Sequence, residues 1–569
     1  MQYKLTNLDE VVKHINKELP LSFDVETAQK KYGNTFYGPI RLAQFYQDGW
    51  ECPLLVERPD PLHLASMLQD KIVVGHNIHY DITSIQENLG GMNIRPYILE
   101  DTFLMARLVF YKELEHSLDK CIEYVIGTNP YLGEGMDQQS SNWAAAKLTE
   151  EQLVYAAKDV YYTLLIRNYM VKEINFEDEG ILNNYSYILD IKTLHYCLNM
   201  QWNGLPLDFE QIEEHLAKNE EEIASINLPV NCNSSPQVRE YLGSVLSDDL
   251  GLALLIHQGS DKARAVRRSR KLRKEISEIN KYLDSHKDGL IYGKFKPSAR
   301  SGRLTSDDTN LQQINKKLKH IIGFKESDRQ VLIYADYPQI QLRGACVVAN
   351  DKTMEKLFRN GEDLHNYVAK IIFGENFTPE QRQICKTANF GLLFGAGINV
   401  FRSVLVKEAG LFLTEDEAAK LKRRWLMLWV NIANWQKAGI KAYKKGLVWE
   451  TPLGRKYKAK MMTDQLAMQI QGFEAEVCKL AWHYMIPELD SKCPEVQARS
   501  FVHDSYIFSC PDDDKIYKSA SSIIKNSMDE AWLEMCKSVS IIDLPMPNKV
   551  RVGYNWGEIE KGKFIYELA

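Results

Sequence analysis

Arg382, Lys386, Phe390 and Phe394 recur at four-residue intervals in Arg382-Gln-Ile-Cys-Lys386-Thr-Ala-Asn-Phe390-Gly-Leu-Leu-Phe394 and run into the break Gly395-Ala-Gly397. On an α-helix each four-residue step overshoots a full turn by only about 40°, so the four side chains share one face. Two fixed cations followed by two flat apolar surfaces suit a polyphosphate, then a sugar and a base. The spacing predicts a helix that grips a nucleoside triphosphate along its length.

At 569 residues the chain exceeds one hydrophobic core and predicts two to four domains. Hydrophobic content of 45% and charged content of 26% are those of an ordinary globular protein. The first residues contain no apolar core of a secretory signal, and no run approaches the roughly 20 apolar residues of a membrane span. None of the ten cysteines forms a Cys-x-x-Cys pair, which argues against a zinc site or a disulfide framework and for a cytoplasmic setting. The net charge of −6 does not exclude nucleic acid, because local fields decide such binding. Residues 262–274 hold eight Lys or Arg and no acid. Arg264, Arg267, Arg268, Lys271 and Lys274 fall on one side of a helix, as in a stripe that follows a phosphate backbone.

Several apolar strands end in acids. In Leu21-Ser-Phe-Asp24-Val-Glu26-Thr, side chains two apart point the same way, so Asp24 and Glu26 face together while Phe23 and Val25 pack behind. Val73-Val-Gly75-His76-Asn77 breaks and leads to Asp81. Tyr155 and Asp159 lie one helical turn apart. Four such carboxylates repel unless divalent cations neutralise them, and hard oxygen donors suit Mg²⁺ or Mn²⁺. Further on, Val331-Leu-Ile-Tyr-Ala-Asp336 delivers one acid into a turn, and Phe501-Val-His503-Asp504-Ser505-Tyr reads as a hairpin with polar residues at its tip.

The order Asp-x-Glu, Asn-x-x-x-Asp, Tyr-x-x-x-Asp resembles the three motifs of DEDDy proofreading exonucleases. The segments around Asp336, Arg382–Gly395 and Asp504 resemble motifs A, B and C of family A DNA polymerases. Ser301-Gly-Arg303, Asn310-Leu-Gln312-Gln313, Asp363-Leu-His365, Gly454-Arg455, Gln471-Gly472 and Asn555-Trp556 extend the likeness over nearly the whole chain. The resemblance implies an α/β and α+β multidomain protein. An RNase H-like exonuclease domain (1–185) would precede a right hand of thumb (186–300), palm (301–350 and 446–569) and fingers (351–445).

It further implies site residues. Asp24, Glu26, Asp81 and Asp159 would hold two metals, with Tyr155 orienting the attacking water. Asp336, Asp504 and the backbone of Tyr337 would hold two Mg²⁺ ions, for which Mn²⁺ could substitute. Arg382, Lys386 and His365 would meet the β- and γ-phosphates of a dNTP, and Phe390 its sugar and base. Arg303 and Gln471 would test the minor groove. Asn310, Gln312 and His503 would contact primer-template DNA, and Arg267, Arg268, Lys271 and Lys274 its backbone.

Three departures from the family pattern stand out. Ser505 follows Asp504 where a glutamate is usual, Gln341 replaces the glutamate of the sugar gate, and Phe394 replaces a tyrosine. Charge and hydroxyl are lost together, which leaves neither buried and unpaired. Gln341 keeps the bulk to exclude a 2′-hydroxyl. Phe390, lacking a hydroxyl, predicts poor use of dideoxynucleotides. His-Asp-Ser also looks like single-subunit RNA polymerases, the main alternative; an exonuclease with an inactive, DNA-binding polymerase domain is the other. The absence of a 5′-nuclease segment suggests a phage or mobile-element replicase. It would act as a monomer away from membranes, with a helicase or single-strand-binding protein as further partner.

Overall fold

The structure is a computed structural model describing residues 1–28, 38–92, 94, 96, 98–131, 141–173, 185–539 and 544–569. They form two compact units. The first comprises Met1–Gly204, Tyr292–Asn310 and Leu453–Lys458, and the second Leu205–Ile291, Leu311–Pro452 and Ala459–Ala569.

A six-stranded mixed sheet organises the first unit. Its strand order is Lys4–Leu5, Leu54–Glu57, Ile40–Tyr46, Leu21–Thr27, Ile72–Gly75, Ile98–Asp101. Phe23 and Val25 are buried in the core as the alternation predicts, which leaves Asp24 and Glu26 on the other face. The helix Glu150–Glu173 packs against this strand and carries Tyr155 and Asp159.

The helix Tyr185–Met200 also belongs to the first unit, whose first stretch runs to Gly204. Specific polar contacts hold it there. The Asp101 N–H donates to Tyr187 Oη at 3.0 Å, and Arg455 Nη2 meets Asp190 Oδ2 at 2.5 Å with both side chains buried. Just beyond the helix, Trp202 Nε1 donates to Gln86 Oε1 at 3.0 Å.

The second unit is built on a five-stranded antiparallel sheet ordered Gln497–Val502, Ser505–Pro511, Gln330–Asp336, Lys549–Gly553, Tyr566–Leu568. Two long helices, Met462–Lys492 and Asp514–Val539, pack against each other and are tied to this sheet by buried phenols. Tyr506 Oη donates to the Cys478 carbonyl at 2.7 Å and Tyr337 Oη to that of Met528 at 3.0 Å. The hairpin foreseen around Asp504 is present, and its two-residue tip puts His503 in the left-handed region at φ 59°.

The cationic helix spans Pro379–Leu393. Thr378 and Gln381 close a reciprocal capping box at its start, with Pro379 in the first turn, where a missing N–H costs nothing. At its end, Gln436 Nε2 donates to the Leu392 and Leu393 carbonyls at 2.7 Å each, and Gly395 takes φ +77°. Phe394 is the residue that closes the helix.

Candidate active sites

In the first unit one carboxylate oxygen each of Asp24, Glu26 and Asp159 lies within 4.8 Å of the others. Burial, then repulsion from a neighbouring carboxylate (Asp81 on Asp24, and Asp24 on Glu26 and Asp159), holds all three well above the ordinary carboxylate range. Such a set of hard, crowded oxygen donors fits a divalent cation, which would replace the protons. Gln44 Nε2 donates to Asp24 Oδ2 at 2.9 Å and orients it.

Asp81 stands behind this trio. Its Oδ1 accepts the Val25 N–H at 2.9 Å and its carboxyl is hydrogen-bonded to Asp24. Burial pushes it up to about 8. Asp81 thus joins the fourfold acidic centre through Asp24, outside the three-oxygen cluster.

Tyr155 donates to Asp159, as the helical spacing suggested, but it has a companion. Tyr131 Oη donates to Asp159 Oδ1 at 2.5 Å, and the two phenol rings are 5.6 Å apart. Tyr131 was missed in the sequence because it sits in a turn with no periodic pattern. The cleft here, about 470 Å³, is lined by Asp24, Asp159, both tyrosines, His76, Asn77 and Phe103, and also by Lys296 and Ser298. Those last two come from Tyr292–Asn310, a segment carrying the paired strands Lys294–Lys296 and Thr305–Asp307.

In the second unit the strands Gln330–Asp336 and Ser505–Pro511 pair so that Asp336 is opposite Ser505, and the Tyr337 N–H donates to the Asp504 carbonyl at 3.2 Å. Two acids 168 positions apart in sequence therefore end neighbouring strands. Burial raises Asp336, opposed first by the Arg551 charge. Ser505 Oγ donates to the Val502 carbonyl at 3.0 Å, which makes it a brace of the hairpin. The Tyr337 side chain is buried in the core, so any role at a cation falls to its main chain.

A cleft of about 310 Å³ is lined by Gln339, Ile340, Gln341, Asp363, His365, Arg382, Lys386, Phe390 and Asp504. Three of the four residues of the four-step pattern thus share one wall; Phe394 lies outside the lining, at the helix end. The Arg382 fork is held by Asp363 at 2.7 Å and by Asn366 at 2.5 Å. His365 is buried against Phe390, ring centroids 5.8 Å apart.

The expected DNA contacts divide between the units. Arg303 lies between the two short strands of the first unit and Asn310 at the end of that segment; Gln312, Gln471 and His503 belong to the second. Gln312 Nε2 donates to the Phe501 carbonyl at 3.1 Å. The basic run forms most of the first half of the helix Asp261–Ser285, as predicted, but its stripe is narrower. Arg268 pairs with Glu222 through Nε and Nη2 at 2.5 and 2.6 Å, and Arg267 Nη2 donates to the Val406 carbonyl at 3.0 Å. Internal acceptors claim these two, whereas Lys271 and Lys274 are exposed.

Fold and sites define a chain with two separate carboxylate centres, one on a mixed sheet and one at a hairpin beside a cationic cleft. Residues 208–558 match the family described as DNA polymerase family A, and residues 1–175 match one described as 3′-5′ exonuclease. The chain belongs to DNA polymerase family A and carries a 3′–5′ exonuclease domain ahead of its polymerase domain. It is 27% identical over 579 residues to a DNA polymerase I of Aquifex aeolicus, covering 94% of this chain and 96% of that one. A DNA polymerase I of Borreliella burgdorferi is 25% identical over 607 residues, covering 97% of this chain and 64% of its own length. The fold is similar to that of the polymerase domain of Pol1 from M. smegmatis in complex with DNA primer-template and dNTP. That likeness has a TM-score of 0.74 and 19% identity, covering 95% of this chain and 96% of that one. The family match favours DNA polymerase over the RNA polymerase alternative. Among the described residues no helix is long and apolar enough to cross a membrane.

Proposed function

We propose that this chain copies primer-template DNA from dNTPs at the Asp336–Asp504 centre and removes 3′-terminal nucleotides at the Asp24–Glu26–Asp159 centre. The observation that carries the reading is the single cleft in which Asp504 shares walls with Arg382, Lys386, Phe390 and Gln341. An acid, two cations, a flat ring and a bulky amide are the parts needed to hold a triphosphate by its tail and sugar.

In synthesis, Asp336 and Asp504 would hold Mg²⁺ with help from the Tyr337 carbonyl. The cation would acidify the primer hydroxyl and offset charge on the triphosphate. Lys386 and the Arg382 fork bind the phosphates, Phe390 packs on the sugar and base, and Gln341 collides with a 2′-hydroxyl. Arg303 and Gln471 read minor-groove acceptors common to all pairs. In excision, Asp24, Glu26 and Asp159 would hold Mg²⁺ or Mn²⁺, Asp81 steadies Asp24, and Tyr155 orients the water. Lys296, in the same cleft, meets the phosphates of the unpaired end. Lys271 and Lys274 follow the duplex backbone. A helicase or single-strand-binding protein fits as a further partner.

The test is extension of a primed single strand with dNTPs or rNTPs. Long products with dNTPs and at most a few additions with rNTPs are expected. Equal use of both removes the gate assigned to Gln341, and no extension with either removes the polymerase reading.

A further inference from the structure

His365 is 4% exposed, lines the nucleotide cleft and is held from behind by a buried relay. Asn389 Nδ2 lies 2.9 Å from His365 Nδ1, and Trp425 Nε1 donates to Asn389 Oδ1 at 2.7 Å. Asn389 and Trp425 are both 0% exposed.

The indole N–H can only donate, so it fixes which end of the Asn389 amide faces which neighbour: oxygen to Trp425, NH₂ to His365. An NH₂ group also only donates, so His365 Nδ1 must accept. A neutral imidazole that accepts at Nδ1 carries its proton on Nε2. Burial, reinforced by the Arg382 and Lys386 charges and opposed by Asp363, holds the ring down at about 4. The ring is therefore uncharged at neutral pH.

We propose that Trp425 and Asn389 are positioning residues for nucleotide binding, which present His365 as a neutral Nε2–H donor to a triphosphate oxygen between Arg382 and Lys386. This rests on the reading of the cleft as the nucleotide site. A third cation would strengthen attraction for every polyanion alike, the pyrophosphate product included. A neutral donor adds direction without charge. The contact of His365 with the β- and γ-phosphates expected from the sequence would then be a hydrogen bond donated by an uncharged ring.

Two measurements on the full chain test this. In ¹⁵N-histidine spectra, with His365→Gln identifying the signals, His365 should be neutral and protonated on Nε2 from about pH 5.5 to 8. A proton on Nδ1, or an imidazolium in that range, overturns the proposal. In single-nucleotide insertion, Trp425→Phe should raise KM for dNTP about tenfold while kcat changes by less than about twofold. His365→Gln keeps an amide N–H near the Nε2 position and needs no relay, so adding Trp425→Phe to it should cost no further affinity. An unchanged KM in Trp425→Phe, or additive losses in the double variant, overturns the proposal. If the wild-type enzyme inserts nothing, the reading of the cleft falls, while the histidine spectrum still decides the tautomer by itself.

Discussion

Two phenols converge on Asp159, and removing one hydroxyl separates their contributions. Tyr131→Phe keeps the ring that packs on Tyr155 and deletes one hydrogen bond to a carboxylate. Such a bond contributes about 1.5–3 kcal/mol, so excision should slow roughly tenfold or more while primer extension is unchanged. An excision rate equal to wild type contradicts a role for Tyr131. Asp81 makes a second residue-level prediction. Burial holds it at about 8 against an ordinary 3.8. Between those values the cation-free native state keeps a proton that the unfolded chain has released. That stability is present at the lower end and is lost as pH rises towards 8. In excess chelator, the melting temperature should fall between about pH 6 and 8, and Asp81→Asn should flatten the slope. An identical slope in the variant contradicts it. Asp24, Glu26 and Asp159 were legible in the sequence because acids are rare at the ends of apolar strands and at one-turn spacing. Tyr131 and the Trp425–Asn389 relay were not, because a buried hydrogen bond between distant residues leaves no periodic trace.

Among elements, the cationic helix was legible from its four-residue repeat, whereas the Thr378–Gln381 capping box that starts it came from the structure. The hairpin at Asp504 was legible too, because two apolar runs flank a polar tip. The basic helix was only half legible. Spacing shows which cations share a face but not which of them meet an internal acceptor, and Glu222 and the Val406 carbonyl come from distant parts of the chain. The consequence is measurable by titrating DNA affinity against salt. Replacing Lys274 with Ala should lower the magnitude of the slope by about one counterion. Arg268→Ala should leave that slope alone and lower the melting temperature only slightly, its pair being partly exposed. Equal slope changes in both variants contradict the division.

Across the whole molecule, the order of motifs carried more information than any one of them. Asp336 and Asp504 mean little separately; the antiparallel register that sets Asp336 against Ser505 gives them a common place. Chain order also concealed something. Tyr292–Asn310 and Leu453–Lys458 belong to the unit of the exonuclease domain although both lie far from it in sequence, and Lys296 comes that way to line the cleft beside Asp24 and Asp159. No local pattern could announce that, because the docking depends on tertiary contacts such as Arg455 with Asp190.

Two carboxylate centres in two units imply two separable reactions on DNA. The most direct measurement follows one labelled primer-template with dNTPs present or withheld, in Asp504→Ala and in Asp24→Ala. Division of the two reactions between these centres predicts that Asp504→Ala shortens the primer without extending it, and that Asp24→Ala extends it without shortening it. Loss of both reactions in either folded variant, or extension that survives Asp504→Ala, would contradict it.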